Sequence, residues 1–177
     1  INTAPIIREL PSGVLKYTHK ENFFDDFKRE RLLPNRLSIN GPSIAVGDVN
    51  GDGFDDIYIA GPKYKSGEIH LQNASGNFTL SPQPIFDADK DAEDQGAIFF
   101  DADNDGDLDL YVASGGNETN PEDEFLQDRL YINNGKGQFT KSKNLPKNLT
   151  STSTVVACDF DSDGDMDLFV GGRLIPG

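Results

Sequence analysis

Three nine-residue segments place short carboxylates at alternate positions: residues 48–56 (DVNGDGFDD), 101–109 (DADNDGDLD) and 159–167 (DFDSDGDMD). In register, side-chain oxygens stand at positions 1, 3, 5 and 9: Asp48, Asn50, Asp52, Asp56; Asp101, Asp103, Asp105, Asp109; and Asp159, Asp161, Asp163, Asp167. Glycine fills position 6 as Gly53, Gly106 and Gly164, where a sharp turn brings the later oxygens back toward the earlier ones. Position 7, with Phe54, Asp107 and Asp165, is expected to contribute a backbone carbonyl. Two carboxylates about 5 Å apart repel by roughly 3 kcal/mol at an effective dielectric near 20, so such a loop calls for a cation. Hard oxygen ligands without His or Cys favour Ca²⁺ over zinc or copper, and a multidentate protein cage favours it over Mg²⁺. The expectation is up to three Ca²⁺ sites.

These loops hold the whole charge imbalance. The 177-residue chain has 30 acidic and 16 basic residues, a net charge of −14, and 14 of the acids lie in the three segments, which leaves the remainder formally neutral. With no broad basic face, nucleic acid is not an expected partner. No apolar run approaches the roughly 18 residues of a membrane-spanning helix.

The elements that must position the loops are strands. SIAVG, GAIFF and TVVAC precede them, and IYIAG, LYVAS and LFVGG follow, all short β-branched or aromatic runs. An EF-hand needs an acid at position 12 and flanking helices; Ile59, Val112 and Val170 stand there instead. Residues 68–79 (EIHLQNASGNFT) align without gaps on 129–140 (RLYINNGKGQFT), each an alternating strand, an Asn/Gly turn and the start of another strand. The repeating unit is therefore strand, loop, strand, strand, turn, strand, recurring after 53 and 58 residues, as propeller blades do.

The loops and their flanking strands over residues 41–177 resemble the FG-GAP/VCBS repeat family, the calcium-loop blades of integrin alpha-subunit propellers and of many bacterial surface proteins. Residues 30–34 (ERLLP), 41–45 (GPSIA), 128–132 (DRLYI) and 167–173 (DLFVGGR) are similar to the ASPIC/UnbV-type VCBS repeat proteins common in Bacteroidetes. The resemblance implies an all-β partial β-propeller of about two and a half blades, with Ca²⁺ as a structural ion at the positions named above. The expected layout is an irregular N-terminal segment at 1–40, blade one at 41–95, blade two at 96–153 with a loop insertion at 117–128, and an incomplete third blade at 154–177. Three blades do not close a propeller, so the chain reads as part of a longer protein; the start at Ile1 without Met or a leader implies either a removed signal or a piece of something longer.

Other features carry smaller expectations. Residues 13–19 suit a strand, and 22–33, with Phe23 and Phe27 at helical spacing, suit a helix stopped by Pro34. Lys28, Arg29, Arg31 and Arg36 form the one basic concentration, a solvated face or a contact with an acidic partner or blade. Asn120, Pro121 and the following acids suit a short helix in the insertion. Cys158, after Val155, Val156 and Ala157, is expected to be buried. Residues 87–94 (DADKDAED) alternate Asp, but Ala92 takes the glycine position and no fourth site is expected. Sequons stand at Asn73, Asn77, Asn117 and Asn148. The two histidines, His19 and His70, belong to no hydrolase triad, and His70 sits at a strand position, so no enzyme is expected.

The function expected is a non-enzymatic, calcium-binding propeller scaffold or protein-interaction module of an exported protein, extracellular or on a bacterial outer-membrane surface. Its partners would be other subunits or the remainder of its own propeller. The alternative is a calcium-dependent carbohydrate-binding or polysaccharide-cleaving propeller with a glycan partner, which the absence of Trp disfavours.

Overall fold

A computed structural model describes residues 9–175. The ends of the expected 1–40 and 154–177 segments, residues 1–8 and 176–177, lie outside the described residues. The fold is all-β, in three antiparallel sheets. Strands β1 (Ile44–Gly47), β2 (Asp56–Ile59), β3 (Glu68–Gln72) and β4 (Phe78–Ser81) form the first, in sequence order. Strands β5 (Asp94–Phe100), β6 (Asp109–Ser114), β7 (Arg129–Asn133) and β8 (Phe139–Lys141) repeat that meander, and β9 (Ser151–Cys158) pairs with β10 (Asp167–Leu174) as a two-stranded third sheet. Each Asp-rich segment is the hairpin between the first and second strand of its sheet. Among the described residues the sheets stay separate and close no ring.

The sheets stack face to face. Ala45, Tyr58, Ala60 and Ile69 of the first repeat meet Leu110, Val112, Tyr131 and Phe139 of the second in one buried cluster. Phe86, from the one-turn helix α2 (Pro84–Asp87), wedges between them, edge-on to Tyr58 and Tyr131 with ring centroids 5.7 and 4.8 Å away. Phe100, Tyr111 and Ala113 pack on Val155, Ala157, Leu168 and Val170 of the third sheet. The second sheet is thus covered on both sides, and every residue of β6 is buried. Sheets approach closely where side chains are absent: a Cβ on Gly115 would lie 2.0 Å from the Thr152 carbonyl oxygen.

Several expectations need correction. Cys158 is exposed. Strand alternation puts it on the face of Thr154 and Val156, whereas Val155 and Ala157 face the second sheet, and no described residue covers the outer face. Residues 13–19 form no strand; the Val14 carbonyl only accepts the Phe78 amide at 2.9 Å, and Tyr17 stands edge-on to His70. The helix expected over 22–33 shrinks to one turn, α1 (Asp26–Arg29), with Phe23 left 91% exposed. Its anchor is polar: buried Asp26 accepts the amides of Leu37 and Ser38. In the insertion the helix is a 3₁₀ turn at Glu124–Leu126, capped by Asp123 rather than Asn120, because Glu122 takes a left-handed φ of 61° and breaks any earlier start.

Candidate metal centres

The three loops share one backbone path. Position 6 is left-handed in each, with φ of 86°, 92° and 98° at Gly53, Gly106 and Gly164. Position 4 is left-handed as well, at Gly51, Asn104 and Ser162 (74°, 61° and 63°). The sequence hides this second turn in the second and third loops, because Asn104 and Ser162 do not announce a positive φ as glycine does.

Each oxygen position does a distinct job. Position 1 gathers backbone amides: Asp48 accepts from Gly51, Asp52 and Gly53, Asp101 from Gly106, and Asp159 from Asp163 and Gly164. Burial alone would raise Asp48, but these donors hold its carboxyl below the usual range. Position 5 closes the turn two residues on, with Asp52, Asp105 and Asp163 accepting the amides of Phe54, Asp107 and Asp165. Position 9 fastens the loop to the sheet. The two oxygens of Asp56 accept the amides of Val49 and Gln72 at 3.1 and 2.8 Å, and those of Asp109 the amides of Ala102 and Asn133 at 2.9 and 2.8 Å. Both are fully buried, and burial pushes both carboxyls up.

Carboxylate oxygens of Asp101, Asp103 and Asp109 lie within 4.8 Å of one another, as do those of Asp159, Asp161 and Asp167. These two clusters can hold a metal ion. The first loop has Asn50 in place of the second acid and forms no such triad; there the Asn50 amide donates to Asp52 at 3.2 Å. Asp105 and Asp163 stand outside the triads. At position 7, Asp107 and Asp165 carry side-chain roles beyond a carbonyl: Asp165 accepts the Asn104 amide at 2.6 Å, joining the second loop to the third, and Asp107 is pushed up by burial and by Asp105, Asp103 and Asp101. In the second loop, Asp101 Oδ1 and Asp107 Oδ1 are buried without a hydrogen-bond partner. An all-oxygen donor set with orphaned acceptors fits a hard cation.

Residues outside the Asp-rich segments tie the loops to neighbouring sheets. The Asn133 amide, on β7, donates to the Leu108 carbonyl at 3.0 Å and across to the Val49 carbonyl of the first loop at 2.7 Å. The alternating aspartates of residues 87–94 form no fourth Asp-rich loop: Asp87 accepts from Ser66, Asp89 from Tyr131 and Lys141, and Asp94 from Tyr58 and Arg129. His70 is a buried strand residue with Nε2 2.9 Å from Glu68. Of the basic cluster, Arg29 donates to the Asn117 carbonyl at 3.3 Å, while Lys28, Arg31 and Arg36 are exposed. Asn117 is fully buried, unlike the exposed Asn73, Asn77 and Asn148.

The profile of the FG-GAP-like repeat family matches this chain twice, over residues 48–112 and 101–170. No curated protein matches it. No helix among the described residues is long and apolar enough to cross a membrane.

Proposed function

This chain belongs to the FG-GAP-like repeat family, and from that membership we propose that it is a non-enzymatic, calcium-stabilised β-propeller segment, a scaffold or protein-interaction module of an exported, cell-surface protein. The observation that carries the calcium reading is the second loop, where three carboxylates converge and buried Asp101 Oδ1 has no donor. Asp101, Asp103 and Asp109 would hold Ca²⁺ there, and Asp159, Asp161 and Asp167 in the third loop; the ion neutralises the clustered charge and stiffens the turn. Asp48, Asn50, Asp52 and Asp56 form the weaker first site, with one charge fewer.

The interaction reading rests on the third sheet. Val156 and Phe169 are 52% and 70% exposed on its outer face, where a further sheet of the same kind, from the rest of the propeller or from another subunit, would pack as the third sheet packs on the second. What supports a bacterial surface assembly as the setting is the resemblance of residues 30–34, 41–45, 128–132 and 167–173 to ASPIC/UnbV-type proteins. Thermal unfolding with Ca²⁺ and with chelator tests the calcium reading: at tenfold saturation each site adds about 1.4 kcal/mol, and an unchanged midpoint would sink it.

A further inference from the structure

Seven buried side-chain atoms among the described residues lack a hydrogen-bond partner, and they fall in two places. Two belong to the second Asp-rich loop. The other five are Glu93 Oε2, Asn117 Oδ1 and Nδ2, Glu118 Oε1 and Thr119 Oγ1. This second group lies at the opposite end of the β5–β6 pair from the loop, since Glu93 immediately precedes β5 and residues 115–119 follow β6.

The group is held in place from several directions. The Gly115 amide donates to the Glu93 carbonyl at 2.9 Å, and Gln95 donates to Glu93 Oε1 at 2.6 Å. The other carboxylate oxygen lies over Gly116, where a Cβ would stand 2.0 Å from it; Gly116 also has a φ of +87°, so glycine is required on both counts. Asn22, from the N-terminal segment, donates to Glu118 Oε2 at 2.6 Å. The ammonium of Lys63 donates to the Glu118 backbone carbonyl at 3.0 Å. Glu93, Asn117 and Thr119 are 4%, 0% and 3% exposed.

A buried acceptor left unsatisfied is costly, and more so when charged, so the four orphaned oxygens mark a missing ligand. Four of the five are oxygens, two from carboxylates, one from an amide and one from a hydroxyl, the donor set of a hard divalent cation. We propose that Glu93, Glu118, Asn117 and Thr119 form a further divalent-cation site of the Ca²⁺ or Mg²⁺ class, at the end of the sheets remote from the Asp-rich loops. The buried Lys63 ammonium acts on both Glu93 and Glu118, so two carboxyls share one fixed positive charge. The site links the N-terminal segment, through Asn22, to the second repeat.

Equilibrium dialysis of the full chain against Ca²⁺ and, separately, Mg²⁺, with metal quantified per chain, tests this. The Glu93→Gln/Glu118→Gln double variant is expected to bind one cation fewer than the parent. That difference is independent of how many ions the Asp-rich loops take, including none. Equal stoichiometry overturns the proposal; equal stoichiometry with a raised melting midpoint in chelator identifies the group instead as a polar cluster built around a protonated Glu93. Should the double variant not fold, Glu118→Gln alone, at a partly exposed carboxyl, is expected to weaken one site at least tenfold, and unchanged affinity at every site overturns the proposal.

Discussion

The hydroxyl of Tyr58, on β2, donates to the carboxylate of Asp94, on β5, at 2.7 Å, and both residues are buried. The bond crosses from the first sheet to the second. The same carboxylate accepts the Gly61 amide at 3.0 Å and pairs with the buried guanidinium of Arg129. Burial and the Asp94 charge hold the Tyr58 phenol well above its usual range, so it remains a donor. Tyr58→Phe is expected to cost about 1–2 kcal/mol. Asp94→Asn, which leaves Arg129 buried without its counter-charge, is expected to cost about 3–5 kcal/mol. Urea unfolding of both checks this; an Asp94→Asn cost no larger than that of Tyr58→Phe would contradict it.

Two acids of the second loop separate metal binding from sheet bracing. Asp103→Ala is expected to leave stability in chelator within about 0.5 kcal/mol while reducing the Ca²⁺-dependent rise in melting midpoint. Asp109→Ala is expected to cost about 1–3 kcal/mol for each of the two amides it strands, Ala102 and Asn133, with chelator present. Equal costs for the two variants in chelator would remove the distinction.

Gly115→Ala sets a methyl against the Thr152 carbonyl at the contact between the second and third sheets. Overpacking of about 1–3 kcal/mol is expected, with a lower melting midpoint. Gly53→Ala meets open space and costs only the strain of its φ of +86°, so a larger loss at Gly53 than at Gly115 would be the wrong order.

Phe169→Ser acts on the outer face of the third sheet. The change in chelator-state stability is expected to stay within about 0.5 kcal/mol, because the ring is 70% exposed. Self-association at high concentration, followed by sedimentation, is expected to fall. Unchanged association would show that this face is not the sticky one.

The repeat, the loops and the strand order were legible because they are local: alternating oxygens, a glycine at a fixed offset and period-two hydrophobicity all act within a few residues. What the sequence hid depends on neighbours. Cys158 looked buried because its three predecessors are apolar, yet only the alternate ones, Val155 and Ala157, face a partner sheet. Asp94 resembled a member of an acidic run; its role is set by Tyr58, 36 residues earlier, and Arg129, 35 residues later. Glu93 reads as one more acid of the 87–94 run and Asn117 as a sequon in the insertion, because a buried polar side chain and a solvated one are the same letter.

In the first two loops the ninth-position aspartate has both oxygens occupied, one by the loop and one by the third strand of its own sheet. Asp167 accepts the Phe160 amide at 3.0 Å, and the described residues contain no third strand to take its other oxygen. The carboxylate therefore registers whether its sheet has been completed. As a chain of such repeats emerges from its N-terminal end, each loop would take its final form only after a further 16 to 24 residues have followed it, so maturation would advance along the chain less than one repeat behind synthesis.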